Sequence, residues 1–110
     1  GWRVPLGPTL SVSDLPQALG LPVVMVTGLR LGCINHSLLT AESIGARGAR
    51  LVGWVASHID SSMLAREQNL ATLAALIDAP CLGVVPHLAD PTPEGVAAHL
   101  KVERLLDGVG

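Results

Sequence analysis

The chain has 110 residues, 49% of them hydrophobic and 15% charged, with a net charge of −2 at neutral pH. That length holds one small domain with a real core, and a chain so apolar and so poor in charge is not disordered. Seven basic and nine acidic residues are spread along it without a Lys/Arg run, and Trp2 and Trp54 are the only aromatics. This composition argues against a nucleic-acid partner, which needs a basic footprint and stacking platforms.

The longest apolar run, Leu21 to Val26 with Pro22 inside it, is too short to span a membrane. No basic stretch precedes an apolar one in the manner of a signal peptide. The chain opens at Gly1 without a Met, which reads as a processed or truncated product. Two cysteines, Cys33 and Cys81, are too few for a secreted disulfide scaffold and point to a reducing cytoplasm.

Residues 1–12 are rich in Pro and Gly and read as an irregular entry segment. A short helix is expected from Ser13-Asp14, with Pro16 in its first turn and Gly20 as its stop. Pro22 to Thr27 is a continuous, partly β-branched apolar run, the pattern of a parallel strand buried on both faces. After the loop Gly28–Gly32, the spacing of Ile34, Leu38, Leu39 and Ile44 predicts a helix from Cys33 or Ile34 to about Arg47, ended by Gly48. Arg50 to Ser57, with the apolar run Leu51 to Ala56 inside it, reads as a second strand. Ser61 or Ser62 is placed to cap a helix from Met63 to Ile77 with Leu64, Leu70, Leu73, Leu76 and Ile77 on its apolar side, and Pro80 blocks its continuation. Cys81 to Val85 is a third strand. A single last helix is expected with Thr92 as N-cap, Pro93 at its first position and Leu100, Leu105 and Leu106 on its inner face.

Strands alternating with helices predict an α/β fold with a parallel sheet and flanking helices. Three such apolar strands would leave one edge open and hydrophobic, which suggests further strands from a preceding segment. In open parallel sheets, ligands sit beyond the carboxyl ends of the strands. Three loops qualify: Gly28–Cys33, Ser57–Ser62 and Pro86–Asp90. In the first, two glycines and a following helix start suit an anion, a carboxylate or a phosphate, with Asn35 and Ser37 as polar neighbours. Taken by themselves, the same residues are more simply those of a plain glycine turn and a capped helix. No Gly-Lys-Ser or Gly-Lys-Thr follows, so the loop is not a P-loop. Cys33 and His36 lack a third orienting group for covalent catalysis, the Cys and His spacing matches no zinc pattern, and no carboxylate pair stands out for acid–base work.

Four segments carry a family resemblance. Val24 to Thr40, with Gly28, Gly32, Cys33, Ile34, Asn35 and His36 at its centre, resembles a characteristic stretch of dethiobiotin synthetases. Leu51 to Ala56 is similar to the next strand of that family, and Leu82 to Leu88 resembles its Leu-Gly-x-(Ile/Val)-Pro-x-Leu signature. The opening Gly1 to Leu6 is similar to the stretch that follows the family's Glu-Gly-Ala-Gly-Gly motif. The resemblance spans nearly the whole chain, with order and spacing kept.

It implies that residues 1–110 are the C-terminal part of one domain with a P-loop NTPase-like three-layer fold, the N-terminal P-loop half being absent. It implies the ATP- and Mg²⁺-dependent carboxylation and ureido ring closure of 7,8-diaminopelargonate with CO2, in a cytoplasmic homodimer. The family's P-loop, catalytic lysines and magnesium-binding carboxylates precede the position of Gly1, so no catalytic or metal residue is assigned here. Gly32, Cys33 and Asn35 are implied at the carboxylate tail of a substrate held mainly by the partner subunit. Ser57, His58, Pro86, His87, Leu88 and Glu94 are implied around the nucleotide base and ribose. Many members carry Asn-Asp where this chain has Ser57-His58. A Ser hydroxyl is shorter and less directional than an Asn amide, which implies looser base recognition and use of other nucleoside triphosphates. The alternatives are half of a related P-loop amidotransferase or cobyrinate-type synthetase, and a non-catalytic binding or dimerisation module.

Overall fold

The computed structural model describes residues 1–109. Three strands, β1 (Val23–Gly28), β2 (Leu51–Ser57) and β3 (Cys81–Val85), form one sheet in the order β1-β2-β3, and both pairings are parallel. The helices are α1 (Leu15–Leu19), α2 (Cys33–Ala46), α3 (Arg66–Leu76), α4 (Pro93–Ala97) and α5 (Glu103–Val109), with a 3₁₀ turn at Val12–Asp14. A parallel sheet with helices crossing over between its strands is the expected α/β architecture, consistent with a P-loop NTPase-like fold. Among the described residues no helix is long and apolar enough to cross a membrane.

β2 is the central strand and is buried on both faces. On one face Met25, Trp54 and Ala56 pack with Leu29, Cys33 and Ile44, and with Leu73 and Ile77 at the end of α3. Trp54 is fully buried, and its indole N–H donates to the Ala79 carbonyl at 3.2 Å, so the one polar atom of the largest core side chain is satisfied. On the other face Val55, Leu82 and Val85 pack against Val96, Leu100 and Leu105. The entry segment is irregular as expected, yet pinned. Pro5 pairs with Ser11, Trp2 donates to the Ser43 hydroxyl at 2.9 Å, and Arg47 donates to Asp14 at 2.6 Å.

Four expectations need correction. β1 is not buried on both faces: Val24 is 37% exposed and Val26 68%. The second face of the sheet is covered over β2 and β3 by residues 96–105, and these do not extend over β1. α3 begins at Arg66, not Met63. The Asp60 carboxylate takes both the backbone N–H and the hydroxyl of Ser62, so neither serine caps the helix. Ala65, at a left-handed φ of 59°, turns the chain into it. Leu64 and Leu76 consequently face solvent. The last expected helix is two helices. Thr92 caps α4 by accepting from the Gly95 N–H, but residues 98–102 leave the helix. Leu100 pairs with Gly83, and Lys101 N–H donates to the Leu82 carbonyl at 2.7 Å, so this segment seals the outer edge of β3. Finally, Leu106 is exposed and lies off the inner face, as does Leu39 on α2.

The opposite edge is unsealed. Val23 and Leu29 donate their backbone N–H groups towards β2, to Arg50 and Ser57. Backbone groups alternate along a strand, so those of Val24, Val26 and Gly28 face away from β2. Apolar side chains and unpaired backbone thus coincide on β1, the open hydrophobic edge expected from three strands.

The seal on β3 depends on Gly83, where an added Cβ would lie 2.0 Å from the His99 carbonyl oxygen. Gly83→Ala in the complete protein is expected to lower stability by about 1–3 kcal/mol. Denaturant unfolding checks this, and an unchanged midpoint would show that residues 99–101 move aside freely.

Candidate ligand site at the carboxyl rim of the sheet

The strand register brings the three loops to one rim. Gly28 of β1 is level with Ser57 of β2, and Ser57 with Val85 of β3. Each loop therefore leaves the sheet at the same height. Ile59 crosses back over the first loop, so close that a Cβ on Gly28 would meet its side chain at 2.5 Å. An open groove of about 610 Å³ runs along β1, lined by Val24, Val26, Thr27, Cys33, His36 and Ile59 among others.

At the first loop, Gly32 is the N-cap of α2 at φ 93°, a backbone angle that favours glycine. It offers no side-chain cap, and Cys33 N–H donates to the Arg30 carbonyl at 3.0 Å. Among the described residues, the backbone N–H groups of Ile34 and Asn35 have no partner. The start of a 14-residue helix thus presents two free donors and the positive end of its dipole at the rim. The Asn35 side chain is exposed beside them, whereas Cys33 is buried in the core at the end of the groove.

At the second and third loops, His58 N–H donates to the Val85 carbonyl at 2.9 Å, which joins the ends of β2 and β3. Ser57, His58 and Pro86 are thereby neighbours on one rim. Leu88 approaches Gly95 in the first turn of α4, the turn that also carries exposed Glu94, while His87 is exposed. His58 Nδ1 lies 3.4 Å from Arg66 Nη1. Because a guanidinium only donates, that ring nitrogen acts as acceptor and the neutral ring carries its proton on Nε2. His58 Nε2 is buried without a partner among the described residues. Among the described residues, no group of three or more His, Cys, Asp or Glu side chains is placed to hold a metal ion.

Sequence reasoning did not single out Ile59, Arg66 or the contact between Thr27 and Ser37. Arg66 stands eight residues after His58 and meets it only because Asp60 and Ser62 fold the intervening loop back. No local pattern signals that.

A parallel sheet whose strand-end loops converge on an exposed helix start defines an α/β ligand-binding domain of the nucleotide-binding kind. A family model described as AAA domain matches residues 1–95, and the chain belongs to that family. Within it, the chain is homologous to dethiobiotin synthetases along its whole length. It is 56% identical over 110 residues to the ATP-dependent dethiobiotin synthetase BioD of Pseudomonas paraeruginosa strain PA7, covering 100% of this chain and 47% of that protein. It is 54% identical over 107 residues to the same enzyme of Cellvibrio japonicus strain Ueda107, covering 97% and 47%. With that of Aromatoleum aromaticum strain EbN1 it shares 55% identity over 102 residues, covering 93% and 45%. The chain spans about half the length of the curated relatives it matches.

Burial first, and the nearby Arg66 charge second, hold His58 below the usual histidine range, with Glu67 opposing them. Its folded pKa lies below its unfolded one, so folding favours the neutral ring. That stability is complete above the unfolded value, near 6.5, and is lost as pH falls from there through the folded value. Below about pH 6.5 the wild type should therefore lose stability more steeply than His58→Gln. Thermal melts of both proteins from pH 8 to 5 measure the difference, and parallel curves would contradict it.

Proposed function

We propose that the complete protein is a dethiobiotin synthetase, a ligase of biotin biosynthesis, and that this chain is its C-terminal part. The observation that carries the reading is identity above 50% along nearly the whole chain to enzymes of that name. In this reaction an amine of 7,8-diaminopelargonate takes up CO2 as a carbamate. The carbamate oxygen attacks the γ-phosphorus of ATP, and ADP leaves. The second amine then attacks the carbamoyl carbon, the ureido ring closes and phosphate is released. Mg²⁺ would neutralise charge on the transferred phosphoryl group, and its ligands belong to the preceding half of the protein.

The chain's own residues have positioning roles in this reading. Gly32 and Asn35, with the free N–H groups of Ile34 and Asn35, receive the carboxylate tail of the diamine. A fixed carboxylate at a helix start holds the amines at the far end in one place. Cys33 acts from beneath, by anchoring that helix start in the core. Ser57, His58, Pro86, His87 and Leu88 border the nucleotide base, with Glu94 near the ribose. The unpaired edge and uncovered face of β1 support a further strand and helix from the N-terminal half, which would carry the P-loop. In a homodimer, the α2 start of one subunit serves substrate bound by its partner. The free thiols of Cys33 and Cys81 suit a cytoplasmic enzyme.

Assay of the complete protein with 7,8-diaminopelargonate, bicarbonate, ATP and Mg²⁺ tests the reading. Dethiobiotin and ADP should form in equal amounts, and residues 1–110 alone should form neither. A complete protein that binds but does not turn over these substrates would leave only a binding module. Ser57 and His58 in place of an Asn-Asp pair predict that CTP and GTP also support turnover. Strict dependence on ATP in the same assay would remove the proposed looseness at the base.

A further inference from the structure

Thr27 and Ser37 form the one hydrogen bond between two buried side chains among the described residues. Their hydroxyl oxygens are 3.0 Å apart, and the residues are 4% and 5% exposed. Thr27 is the penultimate residue of β1. Ser37 faces it from α2, four positions after Cys33 and therefore on the same side of the helix. Between them lies the loop that delivers the free N–H groups of Ile34 and Asn35 to the rim. Three contacts set the height of that helix start above the strand. Leu29 is fully buried and its N–H donates to Ser57 at 2.8 Å, Cys33 is buried in the core, and the two hydroxyls meet. Of the side-chain contacts α2 makes to β1, the hydroxyl pair is the directional one, the Trp2–Ser43 bond lying near the other end of the helix. Apolar packing tolerates small axial slides, whereas a hydrogen bond holds its length within a few tenths of an ångström.

We infer that Thr27 and Ser37 are a coupled pair of positioning residues, which sets the register of the α2 start against β1 and so the grip on the substrate's carboxylate. The inference rests on the proposed function and adds a requirement to it: the two sites must match. A hydroxyl left without its partner in this buried place draws the helix or a water towards itself. Removing both hydroxyls while keeping their volumes leaves no orphan. Val replaces Thr27 at nearly the same shape, and Ala replaces Ser37 with the loss of one atom.

The test is a double-mutant cycle in the complete protein with Thr27→Val, Ser37→Ala and the pair together. Each single variant should raise KM for 7,8-diaminopelargonate about tenfold while KM for ATP stays put, because the base loops follow β2 and β3. The double variant should recover most of that loss, and Ser37→Thr, which keeps the hydroxyl, should keep KM low. Amide hydrogen exchange at Cys33–His36, faster in each single variant and restored in the double, reads the helix start without turnover. If the wild type makes no dethiobiotin, the functional reading fails while the exchange cycle still decides the coupling. Two results would overturn the inference. One is additive losses in the double variant. The other is a parallel rise of both KM values that follows the loss of thermal stability, which marks a merely structural contact.

Discussion

β2 is the strand on which the other elements depend. It is buried on both faces, it lies between two parallel neighbours, and it contributes to both hydrophobic clusters through Trp54 and Val55. Parallel neighbours cannot be joined by tight turns, so each crossover returns over a face of the sheet as a helix. That geometry makes all three strands end at the same rim. The rung from Gly28 through Ser57 to Val85 is therefore what assembles the candidate ligand site from segments more than fifty residues apart.

The two outer strands meet this constraint differently. β3 is closed by the chain itself. Residues 98–102 abandon the helix, Leu100 and Lys101 bond to the strand, and Gly83 lets a carbonyl approach where any side chain would block it. Lost helical bonds are replaced by bonds to a strand edge, which also covers Leu82. β1 has no such cover. Its outward backbone groups and the exposed Val24 and Val26 form one continuous apolar edge. An edge of this kind is normally paired or covered, and relatives twice as long have the chain to do it.

The rim loops are held by local polar contacts as well as by the sheet. Asp60 captures Ser62, and the two bonds from that serine hold the Asp60 carboxyl below its usual range despite its exposure. This turn brings Arg66 back to His58. In the first loop, glycine at position 32 allows the abrupt entry into α2, and buried Leu29 and Cys33 anchor its two ends. The donors of Ile34 and Asn35 are thus presented by a rigid support, as the proposed carboxylate site requires.

Much of this was legible in the sequence because it is written in local patterns. Apolar runs with β-branched residues marked β1, β2 and β3 to within a residue or two. Gly20, Gly48, Thr92 and Pro93 marked helix ends through backbone preferences that need no tertiary partner. Gly32 and the segment after it marked the helix start at the rim. The failures share one cause. Ser61 and Ser62 were good caps until Asp60 took Ser62, the apolar spacing after Pro93 was helical until β3 needed an edge partner, and β1 looked doubly buried with no covering element over its second face. By itself, then, the sequence determined the strands, the alternation with helices and the loops that carry polar groups. Only the tertiary structure decided which loops share a rim, which edge is sealed, and that Thr27 meets Ser37 and His58 meets Arg66. Those contacts join residues distant along the chain, and packing rather than propensity selects them.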